Sequence, residues 1–403
     1  MAGQQDEGRR RFDGGGCIGG EDWGDHNRGH FDFQIMRRLA REWPVLFVNS
    51  LGVRMPSLKD NKVFAARMAR KLKSLARGVV HVENGFWVFS PVTVPGETGQ
   101  RLSGWALAPQ IRLAAARAGI RRPLMWMHCP AAAGLIEDFP EAAMVLQRTD
   151  RFESFPEGDA QLIGRQIAAL KARADLVVYA APHLMGEEAG TVCRQVLVTH
   201  GCDHSVFSQA GLAARADPPD MAALPRPRVG FVGGIDAHTF DPGLLLSVAG
   251  AMPEAAFVLV GGCSLPEGWC PHGNVHLLGR KPYDEIARYM AAMDVLIMPW
   301  NRSPWIEACN PIKLKEYLAV GRPVVTTDFP ALNGWRDLVH VADGAEAFVA
   351  ALRAALAAPY DGCEARTRTS AESWDAKADL VRGAILALGL AFEPRRAAPS
   401  RAA

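Results

Sequence analysis

Short apolar runs alternate with stretches of helical periodicity along most of the 403-residue chain. Val45-Leu-Phe-Val-Asn49, Gly85–Ser90, Pro123–Met127, Ala143–Gln147, Asp175–Tyr179 and Gln195–Thr199 are each only five or six residues long and read as buried strands. A further short strand is expected near Cys17–Gly20, then a helix over Phe31–Glu42 with Phe33, Ile35, Met36 and Leu39 on its apolar side. After the Pro-rich stretch Asp217–Pro227 the rhythm resumes with Arg228–Gly234, Ala256–Gly261, Val275–Leu278, Val295–Met298 and Pro323–Thr327. Helices are expected over Asp284–Met293, Ala345–Ala357 and Ser373–Leu388, the last stopping at Gly389. Apolar strands alternating with helices imply parallel sheets covered on both faces.

The pattern divides the chain into a disordered N-terminus (1–14), an α/β domain (15–215), a linker (216–227), a second α/β domain (228–371), a last helix (372–390) and a disordered tail (391–403). Two doubly wound domains would present the carboxyl ends of both sheets to a shared cleft, where ligands of such folds bind.

One segment carries more chemistry than the rest. Asn310-Pro-Ile-Lys-Leu-Lys-Glu-Tyr-Leu-Ala-Val-Gly-Arg-Pro-Val-Val325 reads as a capped helix, a glycine stop and a buried strand. Asn310 suits the N-cap and Pro311 the first helical position, while Gly321 suits the left-handed end. Lys313 and Glu316 then share a helix face. A helix start attracts phosphate, a lysine beside it adds charge, and a glutamate one turn on can accept from ribose hydroxyls. The same residues also suit an ordinary amphipathic helix leading into a core strand.

The segment resembles the nucleotide-sugar site of GT-B glycosyltransferases, in particular the retaining family-4 type with a Pro-x-Lys-x-x-Glu-Tyr-x-Ala-x-Gly-x-Pro-Val-Val signature. Asp22-Trp23, Arg28-Gly-His30, Ser90-Pro91, the Asp150 segment and His200-Gly-Cys-Asp203 with Phe207 make it most similar to bacterial surface-polysaccharide and teichuronic-acid-type transferases. The resemblance runs from about Gly16 to Leu388. It implies two Rossmann-like domains facing a cleft, a final helix crossing back to the first domain from near Trp374, and a nucleotide-diphosphate sugar as donor. It also implies a glycan or lipid-linked acceptor and no metal.

The resemblance further implies that Glu316 grips the donor ribose and that Lys313 and Asn310 attend the leaving diphosphate. Gly233 and Gly234 would admit the donor close to the backbone. Arg280, opening the loop Arg280–Tyr283 that holds the base in this family, either binds donor or is a solvated loop cation. Two departures stand out. The loop Gly233–Phe240 contains no Arg or Lys, where better-known members carry both. Glu307 and Glu316 are separated by eight residues rather than seven, with Ala308 in the aligned place, so Glu307 is a weaker sugar contact and Asn310 an equal one.

In the first domain, His128 directly follows the strand Pro123–Met127 and matches the family histidine that lies against the transferred sugar. Its plainer alternative is a histidine packed at the sheet edge. Asp150 either binds or deprotonates the acceptor, or caps a helix near Arg151–Phe155. Arg28 and His30 precede the first helix; they either touch diphosphate or acceptor, or pair with Asp22 or Asp25. His200 and Asp203 are expected to shape the return towards the linker.

The net charge of +2 conceals an asymmetry: from Arg54 to Arg122 thirteen Lys/Arg face three acids, so this segment carries +10 and the rest −8. Within it Lys62–Arg77 reads as a basic amphipathic helix, suited either to an anionic membrane surface or to a solvated face. Aromatics do not interleave with these cations, which argues against nucleic acid. No run of about eighteen apolar residues exists, and the N-terminus is unlike a secretory signal. The eight cysteines contain no C-x-x-C pair, as in a reduced, cytoplasmic setting. A cytoplasmic enzyme peripheral to the membrane is the resulting expectation. The rivals are a GT-B nucleotide-sugar epimerase, or a catalytically weakened GT-B protein acting as a scaffold.

Overall fold

The computed structural model describes residues 10–23, 30–51, 78–92, 97–154, 159–213 and 216–393. Arg28 and the basic segment Lys62–Arg77 lie outside them, as do residues 1–9 and 394–403. The chain forms two compact units, Met1–Thr199 with Lys377–Ala403, and His200–Ala376.

Along the first unit run β1 (Arg11–Phe12), β2 (Gly14–Ile18), β3 (Val45–Val48), β4 (Val79–Glu83), β5 (Phe86–Phe89), β6 (Pro123–Met127), β7 (Met144–Arg148), β8 (Leu176–Tyr179) and β9 (Gln195–Leu197). Its main sheet has the order β4-β5-β3-β2-β6-β7-β8-β9 and is parallel throughout, apart from the antiparallel hairpin of β4 and β5. β2, β3 and β7 are buried along their whole length, as their apolar runs require for a sheet with both faces covered. The helices Phe31–Leu39, Glu97–Arg117 and Ala160–Arg173 connect these strands.

The second unit contains β10 (Arg228–Val232), β11 (Ala256–Val260), β12 (Val275–Gly279), β13 (Val295–Met298), β14 (Val324–Thr326) and β15 (His340–Val341). They form a parallel sheet in the order β12-β11-β10-β13-β14-β15. The strand order reverses at β10, whose two neighbours are β11 and β13. In a doubly wound fold this is the switch point at which ligands bind.

The structure corrects five expectations. Residues 10–14 are not disordered: β1 pairs in parallel with β16 (Ala391–Phe392), so neither is the start of the tail. Phe12 is buried edge-on against Trp43, 5.2 Å between rings, and Asp13 accepts from the backbone N–H groups of Arg121 and Arg122. The strand expected at Cys17–Gly20 lies at Gly14–Ile18 instead, because Gly15 and Gly16 carry ladder bonds despite having no side chain to bury.

The stretch 216–227 is not a free linker either. Met221 is fully buried in the second unit's core, and Asp217 binds the buried Arg228 guanidinium at 2.6 Å. Helix His204–Leu212 inserts Phe207 into the same core, so the chain divides at Thr199/His200 rather than at 215. From Lys377 onward the last helix, Trp374–Leu386, belongs to the first unit.

Candidate functional site

In the second unit, helix Ile312–Val320 starts one residue later than the sequence suggests. Pro311 is extended (φ −72°, ψ 125°) and takes the N-cap, so Asn310 stands one residue outside the helix. The proline ring closes the chain direction there, and with no N–H it has none to leave unpaired. Gly321 ends the helix in the left-handed conformation (φ 73°, ψ 46°), as expected.

Glu316 has no exposed surface. Its carboxylate accepts from Lys313 Nζ at 2.7 Å and faces the Tyr283 hydroxyl at 3.5 Å. That hydroxyl also donates to Asp203 at 3.0 Å. Burial and the carboxylates of Glu316 and Asp203 hold the Tyr283 phenol well above its ordinary pKa, so it stays a donor. Asp203, expected only to shape a turn, is therefore the second acid on Tyr283.

Tyr317 links this helix to the switch point, since its hydroxyl accepts from Val232 N–H at 2.7 Å and donates to Val232 C=O at 3.2 Å. Gly233 and Gly234 follow directly. Gly233 N–H donates to Val260 C=O, and a Cβ on Gly261 (φ 155°) would collide with Gly233 C=O. Arg280 lies against the next residue, for a Cβ on Gly262 would sit 2.6 Å from its Nε. The exposed Arg280 makes no ion pair among the described residues. Gly233, Gly234, Arg280, Lys313 and Glu316 are thus tied into one carboxyl edge through Tyr283, Tyr317 and the two glycine pairs.

Asn310 is 8% exposed, and its Oδ1 has no partner among the described residues. Glu307 is exposed in the one-turn helix Pro304–Glu307, and the residue aligned with the family's first acid, Ala308, is fully buried. Lys315, overlooked in the sequence, is buried between Glu372 and His200 C=O, and so anchors the helix rather than meeting a ligand.

In the first unit His128 follows β6 and is almost wholly buried. Its Nδ1 lies 3.0 Å from Asp32 and its Nε2 3.2 Å from Thr149 Oγ1. Asp32, in the first turn of helix Phe31–Leu39, also accepts from the N–H groups of Gly20 and Phe33. Burial alone would raise its pKa; His128, His30 and the Gly20 N–H together push it below the ordinary carboxylate range. The sequence reading missed Asp32 and Thr149. A carboxylate in a helix's first turn, two residues after the singled-out His30, was the available signal.

Asp150 and His30 belong to the same electrostatic cluster. Desolvation raises the Asp150 pKa, against the pull of His128, a Thr149 hydrogen bond, His30 and Arg148. Burial lowers that of His30, but its bond to Glu21 at 3.3 Å and the charges of Glu21, Asp32 and Asp150 outweigh this and raise it. His30 pairs with Glu21 rather than with Asp22 among the described residues, and Asp25 lies outside them. The Asp150 C=O, meanwhile, is held by buried Arg148, which also binds Glu153 and Glu188.

Two doubly wound units of this kind make a GT-B protein, and the solved structures it is similar to agree. Sucrose-phosphate synthase from Thermosynechococcus elongatus superposes with a TM-score of 0.67 at 17% identity, over 93% of this chain and 99% of that one. HepE from Anabaena, in complex with UDP and glucose, gives 0.63 at 13% identity over 93% and 99%.

Residues 226–358 match the family "Glycosyl transferases group 1". A relative from Bacillus subtilis (strain 168), described as the teichuronic acid biosynthesis glycosyltransferase TuaH, is 32% identical over 144 residues. That match spans 34% of this chain and about a third of the relative (35%). The fold is thus that of GT-B proteins, and the likeness to group 1 glycosyl transferases by family model is confined to residues 226–358.

Proposed function

We propose that the protein is a retaining glycosyltransferase that moves a sugar from a nucleotide-diphosphate sugar onto a glycan or lipid-linked acceptor in cell-surface polysaccharide biosynthesis. The buried Glu316, bridged to Lys313 beside a helix start, carries the reading. On donor binding the ribose hydroxyls replace the ammonium on Glu316, and Lys313 turns to the departing diphosphate. Arg280 and the free N–H groups of the helix's first turn supplement it, a preorganised positive field that stabilises the leaving group. The glycine pair Gly233-Gly234 admits the donor, and Asn310 Oδ1 accepts from a sugar hydroxyl.

The first unit receives the acceptor, with Asp150 as its base and His128 behind it. Transfer needs no metal, because these cations take its place at the diphosphate. Arg28 and the basic segment Lys62–Arg77 are assigned to a polyanionic or membrane-bound acceptor, with the protein at the cytoplasmic face. HepE's complex with UDP and the teichuronic acid assignment of TuaH support this class of donor and product.

A panel of UDP-, GDP- and ADP-sugars tests the reading, with nucleotide diphosphate release measured with and without glycolipid extract and with EDTA. Acceptor-dependent release from one donor is the expected result. Absence of any donor binding would overturn it. The scaffold reading rests on the cation-free loop Gly233–Phe240, and donor binding without turnover would favour it.

A further inference from the structure

Three helices of the second unit end around one cavity of about 340 Å³, at the amino ends of β13 and β14. Asp294 stands directly before β13 and Arg322 two residues before β14, and both line the cavity together with Arg226 and Tyr360. Arg366 reaches the same place: a Cβ on the left-handed Gly321, another lining residue, would sit 2.0 Å from its Nη1. This is the end of helix Ile312–Val320 remote from Lys313.

Asp294 is the one acid among the described lining residues, and it has nothing left to give. One of its oxygens takes the Arg226 guanidinium and the other the Arg228 N–H, at 2.7 Å. Arg322 is left without an acid. Its Nε and Nη2 both donate to Ala291 C=O, at 3.2 and 2.7 Å, and it makes no ion pair among the described residues. Arg366 donates to Asp361 C=O and likewise has no ion pair among them. Helix ends draw cations, which explains why arginines gather here. That does not occupy Arg322 Nη1, and neither Nη1 nor the Tyr360 hydroxyl has a hydrogen-bond partner among the described residues. Arg322 is half-buried, and burial with Arg226 and Arg366 lowers its pKa against the pull of Asp294, although a guanidinium stays charged. Two neighbouring guanidiniums, partly desolvated and with no carboxylate, are costly until an anion joins them.

We propose that this cavity binds a phosphate-type dianion, free or as a small phosphomonoester, seated between Arg322 and Arg366. Its oxygens accept from Arg322 Nη1, from Arg366 and from the Tyr360 hydroxyl, so two negative charges meet the two guanidiniums that lack an acid. The volume lies at the small end of the roughly 300–1,000 Å³ of small-molecule sites, which suits a phosphate with a short substituent. The site uses none of the groups assigned above to the nucleotide sugar, and its occupation does not depend on that assignment.

Calorimetric titration of the full chain with glycerol phosphate and with inorganic phosphate tests the site. Ionic strength is held constant, because exposed guanidiniums attract any anion. Saturable binding of one equivalent is expected, unchanged when acetate replaces chloride. Tighter binding of glycerol phosphate would identify an ester as the occupant, and equal or tighter binding of inorganic phosphate would identify the free ion. Arg322→Gln should weaken binding by roughly tenfold or more, as for loss of a charged hydrogen bond. Tyr360→Phe, on a ring that is 41% exposed, should weaken it by roughly two- to tenfold with an unchanged melt. Arg280→Gln should leave it as in the wild type. No saturable binding, equal competition by acetate, or wild-type affinity in both Arg322→Gln and Tyr360→Phe would overturn the site. Loss of binding in Arg280→Gln would also overturn it, since the phosphate would then be bound at the carboxyl edge.

Discussion

Lys313 Nζ lies 2.7 Å from a Glu316 carboxylate that has no exposed surface, although the lysine side chain itself remains 27% exposed. A buried carboxylate needs a partner, and this one comes from a residue able to swing outwards. The pair therefore behaves as a cover over the acid that ligand hydroxyls would replace.

Glu316→Ala should weaken nucleotide diphosphate binding by at least about tenfold, since hydrogen bonds to a charged group contribute roughly 1.5–3 kcal/mol. Glu307→Ala should change it less than about twofold, because that exposed side chain has no partner among the described residues to orient it. Calorimetric titration with UDP, GDP and ADP reads both. Equal effects would mean that the two acids are misassigned.

Lys313→Ala should separate two roles. It leaves Glu316 without its ammonium, so thermal stability should fall by about 1–3 kcal/mol, less than for a wholly buried pair because Nζ is partly solvated. Glu316→Gln combined with it should recover that loss in thermal melts, since no charge remains to be compensated. Donor turnover should stay low in both. Full turnover in the Lys313→Ala variant would remove the lysine from the leaving-group role.

Gly261 offers a test of the switch-point backbone. Its φ of 155° and the closeness of Gly233 C=O leave no room for a side chain, whereas Gly268 (φ 74°) has nothing within 4 Å of the place a Cβ would take. Gly261→Ala should cost more than the roughly 1–2 kcal/mol that left-handed strain alone costs Gly268→Ala, and only the former should reduce nucleotide affinity. Matched melts and titrations of the two variants decide it.

Much of this was legible in the chain. The apolar runs located most strands of both parallel sheets, because a strand buried on both faces has no polar positions to obscure it. The Asn310–Val325 segment exposed Lys313 and Glu316 because i,i+3 spacing on a helix fixes their neighbourhood without long-range information. What escaped depends on tertiary pairing. Asp32 meets His128 ninety-six positions further along the chain, Asp203 meets Glu316 through Tyr283, and β1 pairs with β16, which returns to it from the far end of the chain. A Pro-rich stretch read as linker proved to be anchored to the second unit, through the buried Met221 and the Asp217–Arg228 pair. Turn-forming residues describe the local chain, not what covers it.

Arg148 tests how the Asp150 loop is held. Its guanidinium is 1% exposed and binds Glu153, Glu188 and the Asp150 C=O, while Tyr179 and Lys171 complete the shell around Glu188. Arg148→Met strands Glu188 in a largely buried place, for which about 3–5 kcal/mol of destabilisation is expected. Adding Glu188→Gln should recover much of that stability in urea melts, but not the position of Asp150, so the rate defect should persist. A double variant with wild-type activity would show that Arg148 holds only the fold.

The His30 cluster makes stability depend on pH in a direction that can be worked out. His30 has a pKa raised above its ordinary 6.5, mainly because Glu21, Asp32 and Asp150 outweigh the cost of burying its charge. Its contribution is therefore complete below that ordinary value and is lost as pH rises through the higher folded value. Asp32 behaves oppositely: its depressed pKa contributes above the ordinary 3.8 and is lost as pH falls through the lower folded value. Urea melts of wild type against His30→Gln should thus show a stability difference at pH 6 that shrinks towards pH 9. Wild type against Asp32→Asn should differ at neutral pH and converge on acidification. A His30→Gln difference that grows with rising pH would mean that the carboxylates around His30 do not hold its proton.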